Sequence, residues 1–237
     1  MELTSDVLDG ARRGNRSAIV ELLTMHYPIV WRMAVGLTGR QDVGRGVTKY
    51  LMQRSLRAMP RWKDEGAPLR WFHHHTLLST RRTEKHSPQP GQDTLIQTGA
   101  DAPAYVAFIH ALRSLPMQQR EAFLLCYGEK LETRAIAVAM DCSIVAAGNH
   151  LREATDRLRA LGPEDFDAHS KLMGQTYQKL APDEELSVQD VRQRVRRYLF
   201  PYFLRRTAGR LVSLVLFAAV LYGTYWVYQM VEHSLEK

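Results

Sequence analysis

Three consecutive histidines, His73, His74 and His75, are the side chains whose type most suggests metal chemistry. Successive residues of a helix point about 100° apart, so these three imidazoles do not converge on one ion. The two cysteines, Cys126 and Cys142, have no CxxC or HxxC partner. We interpret the histidines as solvated or facing nucleic acid and the cysteines as core residues, and we expect neither a metal nor a cofactor.

The sequence lacks the motifs of common enzyme active sites. It contains no glycine-rich phosphate loop, no nucleophile elbow and no motif of paired catalytic carboxylates. Two cysteines also exclude a disulfide-stapled scaffold and a four-cysteine zinc site. An enzyme is therefore the least favoured class of function.

Basic charge is concentrated in two separate segments of the 237-residue chain. Residues 1–82 and residues 192–210 each carry a net charge of +7, and the chain between them carries −6. The first excess favours contact with nucleic-acid phosphates, and the tryptophans of that segment can stack on unpaired bases. The second excess is made of arginines that precede an apolar segment, where membrane topology explains it without any DNA.

The spacing of apolar residues predicts helices and no sheet, so we expect an all-α fold. In residues 1–82, for example, Val47, Leu51, Ser55 and Ala58 fall on one face of a helix. Prolines and glycines in residues 83–104 predict a linker to a second helical module at 105–161.

The second module has the pattern of a helix-turn-helix. A short helix ends at a turn around Asp141, and Ser143 is placed to cap a longer helix. That helix has one apolar face, because its apolar residues recur at alternating spacings of three and four. The residues are Ile144, Ala147, Leu151, Ala154, Leu158 and Leu161.

Residues 111–161 resemble the fourth-region domain of bacterial RNA polymerase sigma factors, especially the extracytoplasmic-function (ECF) group. The family has L-P-x-x-x-R-E, then a helix-turn-helix whose second helix ends in A-R-x-x-L-R. The matching residues are Leu115, Pro116, Arg120, Glu121, Leu131, Ile136, Ala137, Ser143, Leu151, Ala154, Arg157, Leu158 and Arg159. Residues 1–82 resemble the second-region domain, through GARRGN at 10–15, RSLRAMPRW at 54–62 and LRWF at 69–72.

The resemblance implies two partners, core RNA polymerase and promoter DNA. The second module would bind the minus-35 element through its recognition helix, using Ser143, Asn149, His150 and Arg152. The first would bind the melted minus-10 strand with Trp62, Arg70, Trp71 and Phe72, with core packing as the alternative for the aromatic residues. The polymerase-contact helix would carry Asp42, Arg45, Lys49 and Arg54, having lost most of the acidic residues usual in the family.

Residues 211–231 are uncharged over 21 positions and predict a transmembrane helix. Arginines precede it, among them Arg205, Arg206 and Arg210, so the positive-inside rule places the N-terminal bulk in the cytoplasm. We accordingly expect an acidic linker at 162–191, a basic juxtamembrane helix at 192–210 on membrane lipid, and a short external tail at 232–237. The expected location is the inner membrane.

Two hypotheses follow from these patterns. The first is a membrane-tethered ECF-like sigma factor that directs transcription initiation, and whose tether a protease or an anti-sigma-type partner regulates. The second is a degenerate sigma-like scaffold that is attached to the membrane, binds a partner and no longer initiates transcription. Loss of the acidic residues around Asp42 and the presence of Gly148 in the recognition helix motivate the second hypothesis.

Overall fold

The computed structural model describes residues 3–86, 93–99, 102–162 and 164–235, and their side chains except at 84–86, 202–214 and 226–235. Every regular element in these ranges is helical, which agrees with the all-α prediction. The helices are α1 (Ser5–Arg12), α2 (Arg16–Thr38), α3 (Gln41–Ala58), α4 (Ala67–His86), α5 (Thr94–Thr98), α6 (Pro103–Ser114), α7 (Met117–Phe123), α8 (Thr133–Met140), α9 (Ile144–Arg159), α10 (Phe166–Lys179) and α11 (Glu184–Leu235). A 3₁₀ turn at Met59–Arg61 follows α3, and a π-helical turn at Leu124–Gly128 follows α7.

Contacts divide the chain into two compact units, Met1–Arg194 and Val195–Lys237. The first unit contains the segments that the sequence predicts as two modules, together with α5 and α10. These two helices lie in the stretches predicted as linkers. The core of this unit includes Leu95 of α5 and Phe166, Met173 and Tyr177 of α10.

Helix α2 is the central element of the first predicted module. Asn15 caps its start, because the Asn15 side-chain oxygen accepts hydrogen bonds from the backbone N–H groups of Ser17 and Ala18 at 3.0 and 3.4 Å. It ends at Gly39, whose φ of 72° is the left-handed conformation that terminates many helices. Its buried face packs against α3 and α4.

Tyr177 of α10 packs where α2 comes close to the π-helical turn after α7. Its ring lies against Gly36 of α2 and Gly128 of the turn, where neither residue has a Cβ. The Tyr177 hydroxyl donates to a Glu129 carboxylate oxygen at 2.7 Å, and Arg32 of α2 donates to both Glu129 oxygens at 3.1 and 3.2 Å. Burial raises the pKa of Tyr177 well above its ordinary value, so the hydroxyl remains a donor.

The prediction that residues 211–231 form a transmembrane helix is wrong. Among the described residues, no helix combines the length and the apolar character needed to cross a bilayer. The inner-membrane location, and the lipid contact of residues 192–210, depended on that span and lose their basis. Arg205, Arg206 and Arg210 lie outside the described side chains.

Gly36 and Gly46 provide a matched test of the Tyr177 contact. A Cβ at Gly36 would clash with the Tyr177 ring, whereas a Cβ at Gly46 of α3 would meet nothing within 4 Å. We expect Gly36→Ala to lower the free energy of unfolding by about 1–3 kcal/mol through overpacking. Gly46→Ala should raise it by up to about 1 kcal/mol, because alanine favours the helix. Urea denaturation measures both, and equal shifts in the two variants would contradict the packing described for Tyr177.

Candidate nucleic-acid interface

Helices α8 and α9 form the predicted helix-turn-helix, and the turn between them is made by Asp141. Asp141 has a φ of 56°, a left-handed conformation that aspartate tolerates better than most residues. The Cys142 N–H donates to the Ala137 carbonyl at 3.0 Å and closes the end of α8. The Ser143 hydroxyl then accepts from the Ala146 N–H at 3.1 Å, which confirms the predicted cap of α9.

Helix α9 has one buried face and one exposed face. Ala147, Ala154 and Leu158 are buried, as the periodicity predicts. The residues at both ends of the predicted apolar face are exposed, unlike those in its middle: Ile144 is 54% exposed and Leu161 is 64% exposed. They lie at the first residue of α9 and beyond its last, where neighbouring helices no longer cover the apolar face.

Val145, Asn149 and Arg152 lie at positions i, i+4 and i+7 of one stripe of α9, on which Val145 and Arg152 are exposed and Asn149 is half-buried. Val145 is 73% exposed. The Arg152 guanidinium donates to the Asn149 side-chain oxygen at 3.1 Å, so these two predicted site residues are adjacent. A Cβ at Gly148 would meet only the Thr133 methyl, at 3.8 Å, so no packing contact in the described residues demands glycine there. His150 is half-buried, and Ser143 caps the backbone.

The aromatic residues proposed for the melted strand lie mostly in the core. Trp62 and Phe72 are 4% and 0% exposed, and their ring centroids are 6.0 Å apart. Trp71 is half-buried and stacks on His75, with 4.1 Å between the ring centroids. Arg70 is exposed and donates to Asp64 at 2.7 Å. Trp71 and Arg70 are therefore the members of this set that have exposed surface.

The proposed polymerase-contact residues all lie on α3, and several of them have partners in the chain. Asp42 binds the Arg40 guanidinium, which lowers the pKa of the Asp42 carboxyl. Arg54 donates to the Tyr50 hydroxyl at 2.9 Å and lies over the Tyr50 ring. Arg45 and Lys49 line a groove of about 490 Å³ with aromatic residues of α2 and with Asp183 and Asp190.

An ion pair between a half-buried arginine and a buried carboxylate joins the helix-turn-helix module to α4. Arg81 of α4 donates to both carboxylate oxygens of Glu121 on α7, at 2.7 and 2.5 Å, and the Glu121 side chain is 1% exposed. The His74 ring nitrogen Nδ1 also lies 3.1 Å from the Ala139 carbonyl of α8. The resemblance identified Glu121 as part of a motif, but nothing in the sequence pointed to Arg81, which lies 40 residues away.

His73 lies beside this junction and is 6% exposed, so it is not a solvated histidine. Burial lowers the pKa of His73, and its Nε2 finds no hydrogen-bond partner within the described ranges. His75 instead contacts the Trp71 carbonyl through Nδ1 at 3.0 Å. The described part of the chain holds no group of three or more His, Cys, Asp or Glu that could bind a metal ion.

Comparison with known proteins identifies the helix-turn-helix segment. Residues 105–158 match the family model described as Sigma-70, region 4. The match covers α6 to α9, and the family is a non-enzymatic DNA-binding domain of transcription factors. No curated protein and no solved structure matches the chain. The fourth-region resemblance is therefore confirmed for this segment, while the ECF assignment and the second-region resemblance of residues 1–82 stay predictions.

The Arg81–Glu121 pair can be compared with the exposed Arg70–Asp64 pair. We expect Arg81→Met to lower the free energy of unfolding by about 3–5 kcal/mol, because it removes the guanidinium from a buried carboxylate. Arg70→Met should change it by about 0–1 kcal/mol, since both side chains of that pair are more than half exposed. Urea denaturation of the full chain measures both values. The double variant Arg81→Met/Glu121→Leu should recover most of the loss, and a double variant as unstable as Arg81→Met would contradict this explanation.

Proposed function

We propose that this protein is a sigma factor similar to the ECF group, which binds core RNA polymerase and directs it to promoters. The Val145–Asn149–Arg152 stripe of α9 carries the proposal, because it lies on the second helix of a helix-turn-helix in a segment that matches sigma-70 region 4. In such motifs the N-terminal part of the second helix contacts base edges in the major groove.

Asn149 and Arg152 have the side chains for base contact. An asparagine can bond the N6 and N7 positions of adenine together, and an arginine can bond guanine or a phosphate. Residues 105–161 carry a net charge of only +1, so contacts to phosphates contribute little to their affinity. We therefore assign the phosphate contacts mainly to residues 1–82, with their net charge of +7.

The first module also supplies the proposed polymerase contact. Helix α3 presents Arg45 and Lys49 where the family usually has acidic side chains, and these two residues share a groove with Asp183 and Asp190. The acidic groups that complete this surface thus come from the segment after α10. We propose that polymerase contacts the α3 surface together with this segment.

A second candidate function is a sigma-like protein that binds a partner and does not initiate transcription. The pairing of Asp42 with Arg40 favours it, because the carboxylate that α3 retains is already bound within the chain. Gly148 favours it too, since glycine offers no side chain to a base.

DNA binding is tested on duplexes selected from a random pool by the full-length chain. We expect Asn149→Ala and Arg152→Ala each to weaken binding of a selected duplex by about 1–3 kcal/mol, measured by fluorescence anisotropy. Lys171→Ala is the control, because it removes an exposed cation from α10, outside the helix-turn-helix. Unchanged binding by both site variants would exclude α9 as the recognition helix.

Polymerase binding separates the two candidate functions. The full chain should be used, because α10 belongs to the core of the first unit. We expect purified core polymerase and the full chain to elute together from a size-exclusion column as a stoichiometric complex. Complete separation on the column, with DNA binding retained, would support the partner-binding function instead.

A further inference from the structure

Helix α9 presents an exposed aliphatic side chain in its first turn, the part of a recognition helix that contacts base edges. Val145 is the second residue of α9 and is 73% exposed, and its neighbour Ile144 is 54% exposed. Exposing large aliphatic side chains to water in this way is unfavourable in free energy. The valine side chain has no hydrogen-bond donor, so the side chain contributes nothing to phosphate binding. Its two methyl groups can contact only an apolar group.

The major groove offers one apolar group, the C5-methyl of thymine. Cytosine, guanine and adenine present donors or acceptors there, and contact with the thymine methyl is the usual role of apolar side chains at base edges. Burying the thymine methyl against Val145 would remove apolar surface of both partners from water. Val145 thus has the chemistry of a thymine contact.

Asn149 lies one turn after Val145 on the same stripe and has the chemistry of an adenine contact. Its side-chain oxygen accepts one bond from Arg152 at 3.1 Å, which leaves a second lone pair for the adenine N6 amino group. Its amide nitrogen can donate to adenine N7. The Arg152 bond restrains the half-buried Asn149 side chain.

The spacing of the two residues fixes the spacing of the bases. Four residues of helix rise about 6 Å, and successive base pairs are about 3.4 Å apart. A helix lying along the groove therefore brings Val145 and Asn149 to positions about two base pairs apart. Gly148, which lies between Val145 and Asn149 in α9, has no side chain that would separate the two residues from the bases.

We propose that α9 recognises an A·T-containing element, in which Val145 contacts a thymine methyl about two base pairs from an adenine bound by Asn149. This inference rests on the proposed function, because it requires α9 to bind DNA.

Uracil substitution tests the thymine contact, because uracil differs from thymine only by the missing methyl group. Duplexes selected from a random pool by the full-length chain are prepared with each thymine replaced in turn by uracil. We expect one replacement to weaken binding about fourfold, the effect of one buried methyl group. Val145→Ala should bind the thymine and uracil forms of that duplex equally.

Val138→Ala is the matched control. It makes the same change at a valine of α8 that is 51% exposed, and it should keep the fourfold preference for thymine. Asn149→Ala should lose its preference for adenine at a position about two base pairs away, while keeping the preference for thymine. Because Val145 is exposed, Val145→Ala should unfold at the same urea concentration as the unchanged chain.

The outcomes separate the inference from the proposed function. If no duplex is enriched from the pool, the proposed DNA-binding function itself is wrong. If duplexes bind but no uracil replacement weakens them, the thymine contact is wrong and the proposed function stands. If Val145→Ala keeps the full preference for thymine, the assignment to Val145 is overturned.

Discussion

The buried contact among Tyr177, Glu129 and Arg32 is the interaction on which the first unit depends. It joins three segments that are far apart in the chain, α2, the end of the π-helical turn, and α10. Each polar group satisfies another, so a carboxylate and a guanidinium can be buried together without leaving an unpaired charge. The Tyr177 ring also needs Gly36 and Gly128, because a Cβ on either residue would crowd it.

This contact explains why the helix-turn-helix is held in a defined position within the first unit. Glu129 lies directly after the π-helical turn and shortly before α8, so fixing Glu129 fixes the start of the motif. The Arg81–Glu121 pair fixes α7 in the same way against α4. Apolar packing stabilises the unit but is non-directional. These charged contacts, in contrast, specify which surfaces of the helices meet.

The sequence predicts the local structure well and the long-range contacts poorly. The Ser143 cap and the buried face of α9 follow from the residue types and their spacing, because both involve residues within a few turns of each other. The negative charge of residues 162–191 predicts an acidic linker. The burial of Tyr177 within them depends on partners more than 45 residues away, which the charge does not indicate. The membrane prediction is overturned by the described residues themselves, none of whose helices is long and apolar enough to cross a bilayer.

The distribution of charge also determines how much the helix-turn-helix and residues 1–82 would each contribute to DNA affinity in the proposed function. A nearly neutral helix-turn-helix binds phosphates weakly. Its contribution to DNA affinity therefore depends on base contacts, and binding free energy is lost at each mismatched base pair. Residues 1–82 carry the positive charge, and their affinity would fall as salt rises, with little dependence on sequence. Because the two segments belong to one compact unit, the weak but selective contact of α9 acts on DNA that the basic segment already holds.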